Sequence, residues 1–196
     1  MTTTRDDQDA ADMVRLAHGH DAALSELMAR HGEALFHYLI RQTQSDAEAS
    51  DLAQEAFVRV YQHRTKFDSR QKFSTWLYAI ATNLSRDRLR WHSRHPQVSL
   101  EAEDERSGTS LQEHLADARP TPDQTLQTAE RAGAVRKAVG ALPEELRTPL
   151  ILAEFEERSQ AEIAAILDCS LKAVEMRLYR ARKQLREHLT AELQTI

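Results

Sequence analysis

Basic side chains recur at helical spacing near the C-terminus, where they could pair with phosphates. From Leu171 to Leu189 the chain has six basic residues and two acidic ones. At 100° per residue the polar side chains gather opposite an apolar face. Such a helix fits a DNA major groove about 12 Å wide, with cations on the phosphates and polar groups at the base edges. The polar face carries Lys172, Glu175, Met176, Tyr179, Lys183 and Arg186, with Arg177 and Arg180 at its edges.

A capped helix and a tight turn come before this basic helix. Ser159 and Glu162 have the spacing of a capping box, and Ser170 is the predicted N-cap of the basic helix after a break at 168–170. This order predicts a helix-turn-helix that binds DNA. The alternative is an ordinary helical hairpin with a solvated charged face. The predicted apolar face of the second helix consists of Leu171, Val174, Leu178, Ala181, Leu185 and Leu189.

A second candidate nucleic-acid surface combines aromatic and basic residues in the first half of the chain. The segment from Phe67 to Trp91 is its most aromatic part. Rings can stack on unpaired bases while cations pair with phosphates, so the pattern suits single-stranded nucleic acid. The alternative places these rings in the core, and we favour it for Tyr78 and Trp91. One face of a predicted helix over 73–95 carries Trp76, Asn83, Arg86, Asp87, Arg90 and Arg94.

Acidic side chains form a strip on a predicted helix over 46–64. Glu48, Asp51 and Glu55 lie at i, i+3 and i+7, and Gln54 is adjacent. An acidic strip on a rigid helix suits a basic protein partner, whereas the alternative is a solvated face without a partner. The apolar stripe that faces away from the strip is predicted to be Leu52, Ala56, Phe57 and Val60.

Helices are the elements that must position these side chains. No glycine or proline occurs between Glu33 and His95, and apolar residues recur at spacings of three and four. Strand-like alternation is not sustained anywhere in the sequence. The predicted fold is therefore all-α.

Charge divides the chain into two small helical domains and a linker. Its 196 residues include 26 Lys and Arg against 31 Asp and Glu, a net charge of -5, which excludes indiscriminate DNA coating. Residues 99–130 hold two basic and eight acidic residues with little apolar periodicity, a composition typical of a flexible linker. We predict domains at 1–96 and 130–196, joined by an acidic linker at 97–129.

Other features argue against membrane, metal and enzyme functions. The longest apolar run, Trp76–Ala81, is far shorter than the roughly 20 residues of a membrane helix. The polar N-terminus lacks a signal-peptide pattern, so we expect a cytoplasmic protein without membrane insertion.

The single Cys169 excludes an internal disulfide, and we interpret it as a packing residue. The His18/His20 and His92/His95 pairs lack further ligands at suitable spacing, so we expect solvated histidines and no metal. We find no catalytic motif, and we predict no cofactor and no catalytic activity.

Two stretches of the sequence resemble conserved regions of bacterial sigma factors. Residues 51–90, DLAQEAFVRVYQHRTKFDSRQKFSTWLYAIATNLSRDRLR, are similar to the second region, and residues 141–185 are similar to the fourth. A chain with only these two regions and a short linker resembles the extracytoplasmic-function subfamily.

The resemblance implies partners and residue roles. Core RNA polymerase would dock on the helix that carries Glu48, Asp51, Gln54 and Glu55. The minus-10 promoter element would be opened by Lys66, Phe67, Phe73, Trp76, Asn83, Arg86, Asp87 and Arg90, with a flipped base held by the loop 66–73. The minus-35 element would be read by Glu175, Met176, Tyr179 and Arg180, with Lys172, Arg177, Arg182 and Lys183 on phosphates.

The same resemblance implies regulation by a second protein. Members of the subfamily are typically held inactive by an anti-sigma factor, which here would cover the acidic strip and the helix Leu171–Arg186. We expect a monomer when the chain is free of partners. The linker would thread toward the path of the nascent RNA.

The chain departs from the family pattern at three places. The family usually has Ala-Glu-Asp before the leucine of the docking helix, whereas this chain has Ala49-Ser50-Asp51, so one acid is missing. Glu175 and Met176 stand where the family often has a basic residue and a serine. Glutamate can accept from cytosine N4 and methionine can contact a thymine methyl, so the minus-35 sequence could differ. Pro149 is predicted to kink its helix.

Two other classes of protein remain as alternatives. A two-domain helix-turn-helix regulator would bind duplex DNA without polymerase, whereas a sigma factor starts transcription only with core enzyme. An enzyme is the third class.

Overall fold

The computed structural model describes residues 4–95 and 132–193, with side chains to residue 190. Both ranges are helical and neither contains a strand, which confirms the predicted all-α fold. The predicted linker at 97–129 lies outside the described residues. In chain order the elements are α1 (Arg5–Ala17), α2 (Ala22–Thr43), α3 (Asp46–Gln62), a 3₁₀ turn (Arg64–Lys66), α4 (Phe73–Arg94), α5 (residues 132–140), α6 (Glu144–Glu154), α7 (Gln160–Ile166) and α8 (Leu171–Leu193).

Local capping sets where the N-terminal helices begin and end. Thr4 and Asp7 form a capping box at the start of α1. Gln44 ends α2 in the left-handed region, with φ 60°, and the Ser45 side chain then accepts from the backbone N–H of Glu48 to begin α3. The reversal between α2 and α3 therefore occupies only two residues, which packs the two helices side by side.

A shared core holds α2, α3 and α4 together. The predicted apolar stripe of α3 is buried, as are α2 and α4 side chains that face it. The Tyr38 and Thr82 hydroxyls lie 2.7 Å apart, so the phenol is satisfied inside the core. Core side chains of this half include Leu27, Leu35, Leu39, Leu52, Phe57, Val60, Phe73, Leu77 and Tyr78.

The predicted helix-turn-helix is formed by α7 and α8. The Ser159–Glu162 capping box is confirmed, and Ser170 Oγ accepts from the backbone N–H of Ala173. Asp168 has φ 49° in the turn between the helices. Cys169 is partly buried against the core, as predicted. The turn and caps thus fix the direction in which α8 leaves α7.

Two predictions about this half need correction or refinement. Leu171 is exposed although we predicted it on the apolar face, so the buried part of that face begins at Val174. Val174, Leu178 and Ala181 are buried as predicted. Pro149 is buried inside α6, which runs from Glu144 to Glu154, and the kink at this residue stays a prediction.

The two halves of the described chain pack against each other. Helix α4 of the N-terminal half contacts α7 of the C-terminal half, and α2 contacts α6. No local sequence pattern indicates these contacts, since they join residues far apart along the chain.

Candidate nucleic-acid interface

The exposed face of α8 is the first candidate surface. Tyr179 has 67% of its surface exposed, and Met176, Arg180 and Lys183 are also exposed. Lys172 Nζ donates to Glu175 Oε2 at 3.0 Å, so these two predicted contact residues pair with each other at the start of the helix. Because Val174, Leu178 and Ala181 fix the opposite face, the exposed side chains project from a rigid support.

Two of the predicted basic residues are engaged inside the C-terminal half. The Arg182 guanidinium donates to Glu154 Oε1 at 2.8 and 3.0 Å, which ties α8 to α6. Arg177 is half-buried, with Nη1 3.6 Å from Cys169 Sγ. These contacts orient the helix-turn-helix as well as placing positive charge at its edge.

A groove of about 410 Å³ runs between the start of α7 and the exposed face of α8. Gln160 lines this groove and was not among the residues predicted from the sequence. The available signal was its place at the first position of α7, where a helix-turn-helix brings its first helix close to the second. The groove is lined by Gln160, Glu175, Leu178, Tyr179, Arg182, Lys183 and Arg186.

The polar face of α4 is the second candidate surface. Asn83, Asp87 and Arg90 are exposed, and the Arg90 guanidinium lies 3.6 Å from the Asp87 carboxylate. Arg86 differs from them because its side chain is only 21% exposed. Its Nε donates to Glu144 Oε1 of α6 at 2.8 Å. One predicted DNA contact is therefore paired with the C-terminal half.

Three rings cluster where the 3₁₀ turn, the following loop and α4 meet. The centroids of Phe67 and Trp76 are 5.2 Å apart, and both side chains are half-buried. Phe73 is 1% exposed, and it packs against Phe67, Trp76 and the His31 ring. The loop therefore presents Phe67 and Trp76, while Phe73 supports them from the core. Lys66 is exposed beside this cluster.

An arginine–aspartate pair shapes the loop before α4. The backbone N–H and the guanidinium of Arg70 donate to the Asp68 carboxylate, with Nη2 to Oδ2 at 2.6 Å. These hydrogen bonds lower the pKa of Asp68 to about 2. This pair was not predicted from the sequence, although an aspartate that accepts from the backbone two residues on is a recognisable turn pattern.

Tyr78 and Trp91 have different surroundings although we favoured a core position for both. Tyr78 is buried, and burial raises the pKa of its phenol. Trp91 is 45% exposed, so the core prediction is wrong for it. The Trp91 ring stacks on the His95 ring, with 5.0 Å between the ring centroids, and it meets the His92 ring edge-on, with 5.1 Å between the centroids. In this last part of α4, His92 contacts Glu48 of α3, whereas Trp91 lies on an exposed side of the helix.

The acidic strip of α3 is the third candidate surface. Asp51 and Gln54 are exposed, and Glu55 Oε1 accepts from Arg59 at 2.9 Å. Glu48 Oε1 lies 2.6 Å from His92 Nε2 of α4, which fixes that carboxylate. Val58, 46% exposed, was missed by sequence analysis. It shares the helical face of Asp51 and Glu55 and adds an apolar patch to the strip.

Within residues 4–95 and 132–193, none of the helices has the length and apolar content that crossing a membrane requires. No group of three or more His, Cys, Asp or Glu side chains there could hold a metal ion.

Sequence comparisons relate both halves to known families. Residues 27–95 match the Sigma-70 region 2 family, and residues 132–185 match the Sigma-70 region 4 family. The ECF RNA polymerase sigma factor SigW of Bacillus subtilis (strain 168) is 32% identical over 172 residues, 87% of this chain and 91% of the relative. The ECF RNA polymerase sigma-E factor of Escherichia coli (strain K12) is 32% identical over 175 residues, 87% of this chain and 88% of the relative.

Solved structures have a similar arrangement of helices. CnrH, in complex with the cytosolic domain of CnrY, matches 94% of this chain and 99% of that chain, with 27% identity and a TM-score of 0.68. The sigma factor RpoE of Bartonella quintana, in complex with the anti-sigma factor NepR, matches 85% and 96%, with 23% identity and a TM-score of 0.63. The second likeness concerns the fold alone.

Proposed function

The chain belongs to the extracytoplasmic-function RNA polymerase sigma factors, and we propose that its three exposed faces divide polymerase docking, promoter opening and promoter reading among them. As a member of this family it binds core RNA polymerase, recognises promoter DNA and directs transcription initiation. The observation that carries the residue assignments is the combination of a basic helix-turn-helix with an aromatic and basic helix in one chain.

Core polymerase docking is assigned to the α3 strip of Glu48, Asp51, Gln54 and Glu55. Its carboxylates suit a basic polymerase surface, and Val58 in the same face supplies apolar contact area. The His92 contact fixes Glu48 in advance, which reduces the side-chain entropy lost on binding.

Opening of the minus-10 element is assigned to the loop before α4 and to the face of that helix. Unstacking a base costs a few kcal/mol, which stacking on a ring can offset. The half-buried Phe67 and Trp76 can supply such a ring surface, with Phe73 as the support beneath them. Cations and amides at the duplex edge complete the site, so the proposed set is Lys66, Phe67, Phe73, Trp76, Asn83, Arg86, Asp87 and Arg90.

Reading of the minus-35 element is assigned to the exposed face of α8. Met176 can contact a thymine methyl and Glu175 can accept from cytosine N4, while Tyr179 and Arg180 continue the base-facing row. The remaining cations position the helix on phosphates. The proposed set is Lys172, Glu175, Met176, Arg177, Tyr179, Arg180, Arg182 and Lys183.

The division into domains follows from this assignment. We place the polymerase and minus-10 domain at 1–96 and the minus-35 domain at 130–196, with the acidic segment 97–129 as the tether between them. The low basic content of the tether disfavours binding to DNA phosphates, so it suits a path through the polymerase rather than along the promoter.

An inhibitory protein partner is part of the proposal. CnrH is in complex with the cytosolic domain of CnrY, and the B. quintana sigma factor is in complex with an anti-sigma factor. For this chain we assign such a partner to the acidic strip and to the exposed face of α8. Sigma factors act together with RNA polymerase and are in general not enzymes. We therefore propose a cytoplasmic location and no catalytic activity for this chain.

Run-off transcription tests this function. Core polymerase and the purified chain are mixed with genomic fragments from the organism that encodes it, and transcripts are mapped. We expect discrete start sites only when both proteins are present. Binding of the chain to duplex DNA with no core-dependent transcripts would instead support the helix-turn-helix regulator.

A further inference from the structure

A buried polar cluster lies behind the aromatic residues of the proposed minus-10 site. Asp9 of α1 is fully buried, and Asp12 and His31 are each 6% exposed. The Asp9 carboxylate accepts from Arg30 Nε at 2.9 Å and lies 2.7 Å from His31 Nε2. Because an ionised carboxylate can only accept, His31 is the donor, and this hydrogen bond fixes the orientation of its ring.

Stability alone does not account for a histidine at this position. His31 belongs to the buried stripe of α2, one helical turn from Leu27 on one side and from Leu35 on the other. Burial of charged groups carries a desolvation cost, and apolar residues in place of a buried ion pair often leave a protein equally stable. A leucine would continue the stripe without that cost. The pair of Asp9 and His31 therefore points to a role in holding a neighbouring group in place.

The neighbour of the His31 ring is the aromatic cluster. The centroids of His31 and Phe73 lie 5.1 Å apart with the ring planes at 61°, an edge-to-face contact. Phe73 in turn packs edge-on against Phe67 and Trp76, whose centroids are 6.2 and 6.3 Å away. Since Phe73 is 1% exposed, it has no free face for a base. It connects His31 to the two rings that are half-buried.

Helix α1 packs on every element that carries one of these rings. It contacts α2, which carries His31, and α4, which carries Phe73 and Trp76. It also contacts the 3₁₀ turn that ends just before Phe67. The helix ends at Ala17, before the part of the chain that matches Sigma-70 region 2. Its contacts therefore give α1 a way to act on the loop before α4.

We propose that Asp9 and His31 are positioning residues of the minus-10 site. Asp9 holds the His31 ring, His31 holds Phe73, and Phe73 sets the place of the Phe67 and Trp76 rings on which an unpaired base stacks. This inference rests on the proposed function, because it concerns the rings assigned to promoter opening. It gives a part in that opening to α1, which carries none of the residues proposed to contact polymerase or DNA.

Two variants interrupt these contacts, and a third is the matched control. His31→Gln keeps a donor for Asp9 but removes the ring that contacts Phe73. Asp9→Asn keeps the ring but weakens its hydrogen bond to α1. Asp12→Asn makes the same change at a second buried acid, whose carboxylate pairs with Arg30 rather than with His31. A role in stability alone predicts similar effects of Asp9→Asn and Asp12→Asn.

The rate of promoter opening is the first measurement. Core polymerase and each full chain are mixed with a mapped promoter that carries 2-aminopurine in its minus-10 element, because this adenine analogue fluoresces more strongly when it is unstacked. We expect His31→Gln and Asp9→Asn to open the promoter at least fivefold more slowly than the unchanged chain, with affinity for core polymerase within twofold. Asp12→Asn should open it within twofold of the unchanged rate. Equal slowing by all three variants, or no slowing by His31→Gln, would overturn the proposal.

Quenching of Trp76 fluorescence is the second measurement, and it uses the free chain. The chain has two tryptophans, so Trp91→Phe leaves Trp76 as the only one. In this background acrylamide should quench Trp76 at least twofold more efficiently after His31→Gln and no more efficiently after Asp12→Asn. Circular dichroism shows that each variant is folded, and His31→Gln decides the test where Asp9→Asn is too unstable to fold. Unchanged quenching in His31→Gln would contradict a role of His31 in placing the rings.

Failure of this inference and failure of the proposed function give different results. If the unchanged chain with core polymerase produces no rise in 2-aminopurine fluorescence, the proposed function fails. If the unchanged chain opens the promoter and His31→Gln opens it equally fast, the function stands and the positioning role is removed.

Discussion

Asp9 shows how a single buried acid joins α1 to the rest of the fold. It is fully buried, and its carboxylate receives Arg30 Nε at 2.9 Å and lies 2.7 Å from His31 Nε2. Burial alone would raise the pKa of Asp9, but the His31 and Arg30 contacts outweigh it and lower that pKa. The charged form is therefore the one that the folded state stabilises.

Replacement of this acid tests its contribution. Because the pKa of Asp9 is lower in the folded state, its stabilisation is present above the unfolded pKa of about 3.9 and is lost as the pH falls through the folded value. Asp9→Asn should lower the free energy of unfolding at pH 7 by about 3 kcal/mol, with a smaller loss at acid pH. Urea unfolding at several pH values measures this. The exposed Asp21→Asn should change little, and an equal loss in both variants would contradict the assignment.

Replacement of Met176 and of Lys183 by alanine should remove two different kinds of DNA contact. Met176→Ala removes a side chain of the proposed base-reading row, so holoenzyme binding should weaken by about 1–3 kcal/mol only for promoters with one particular minus-35 base pair. Lys183→Ala should weaken all promoters alike and reduce the salt dependence. Competition binding with a panel of minus-35 variants separates the two. A uniform effect of Met176→Ala would remove it from the base-reading row.

For single residues, the sequence predicted which helix face a side chain lies on better than which residues surround it. The exposed polar face of α8 and the buried stripe of α3 follow from helical period alone. The burial of the Trp91 and Phe73 rings was harder to predict, since the exposure of a ring depends on which neighbouring helix covers that turn of α4. Contacts such as Arg86 with Glu144 join residues 58 positions apart, and no local pattern encodes them.

The helix-turn-helix was predictable as an element because its signals are local. The capping box, the break at 168–170 and the start of α8 all fall where the sequence placed them. The start of α4 at Phe73 was also predicted. By contrast, the packing of α7 on α4 depends on long-range contacts, and the sequence did not indicate it.

Removal of the α7 cap should loosen the helix-turn-helix without changing the side chains that we propose to face DNA. Ser159→Ala deletes the acceptor for the backbone N–H of Glu162 and should cost about 1 kcal/mol. Hydrogen exchange at α7 amides should increase, while exchange in α2 and α3 stays the same. An unchanged exchange rate in α7 would show that the cap does not limit its opening. Ser93→Ala, at the exposed end of α4, is a suitable control.

The α3 strip can be tested as a unit by reversing one charge. The Asp51 side chain is exposed and makes no hydrogen bond or ion pair with the described residues, so Asp51→Lys should leave the fold intact. We expect affinity for core polymerase to fall at least tenfold because the strip then repels a basic surface. Asp21→Lys, exposed at the start of α2, is the matched control. Unchanged affinity in Asp51→Lys would place the docking surface elsewhere.

The net charge of -5 describes the whole molecule poorly, because opposite charges serve different faces. The acidic strip that we propose for polymerase and the basic α8 that we propose for DNA share one chain with an acidic segment between its halves. Such a protein gains promoter affinity as a subunit of a larger DNA-binding enzyme, and its own weak net attraction to DNA limits non-specific binding.

Promoter opening tests the central claim most directly. Permanganate oxidises unpaired thymines, so it reports opening at the minus-10 element when core polymerase, the chain and a mapped promoter are combined. We predict reactive thymines only when core and chain are both present, with at least a tenfold loss for Trp76→Ala. Opening by core polymerase without the chain, or no opening with both proteins present, would contradict the account.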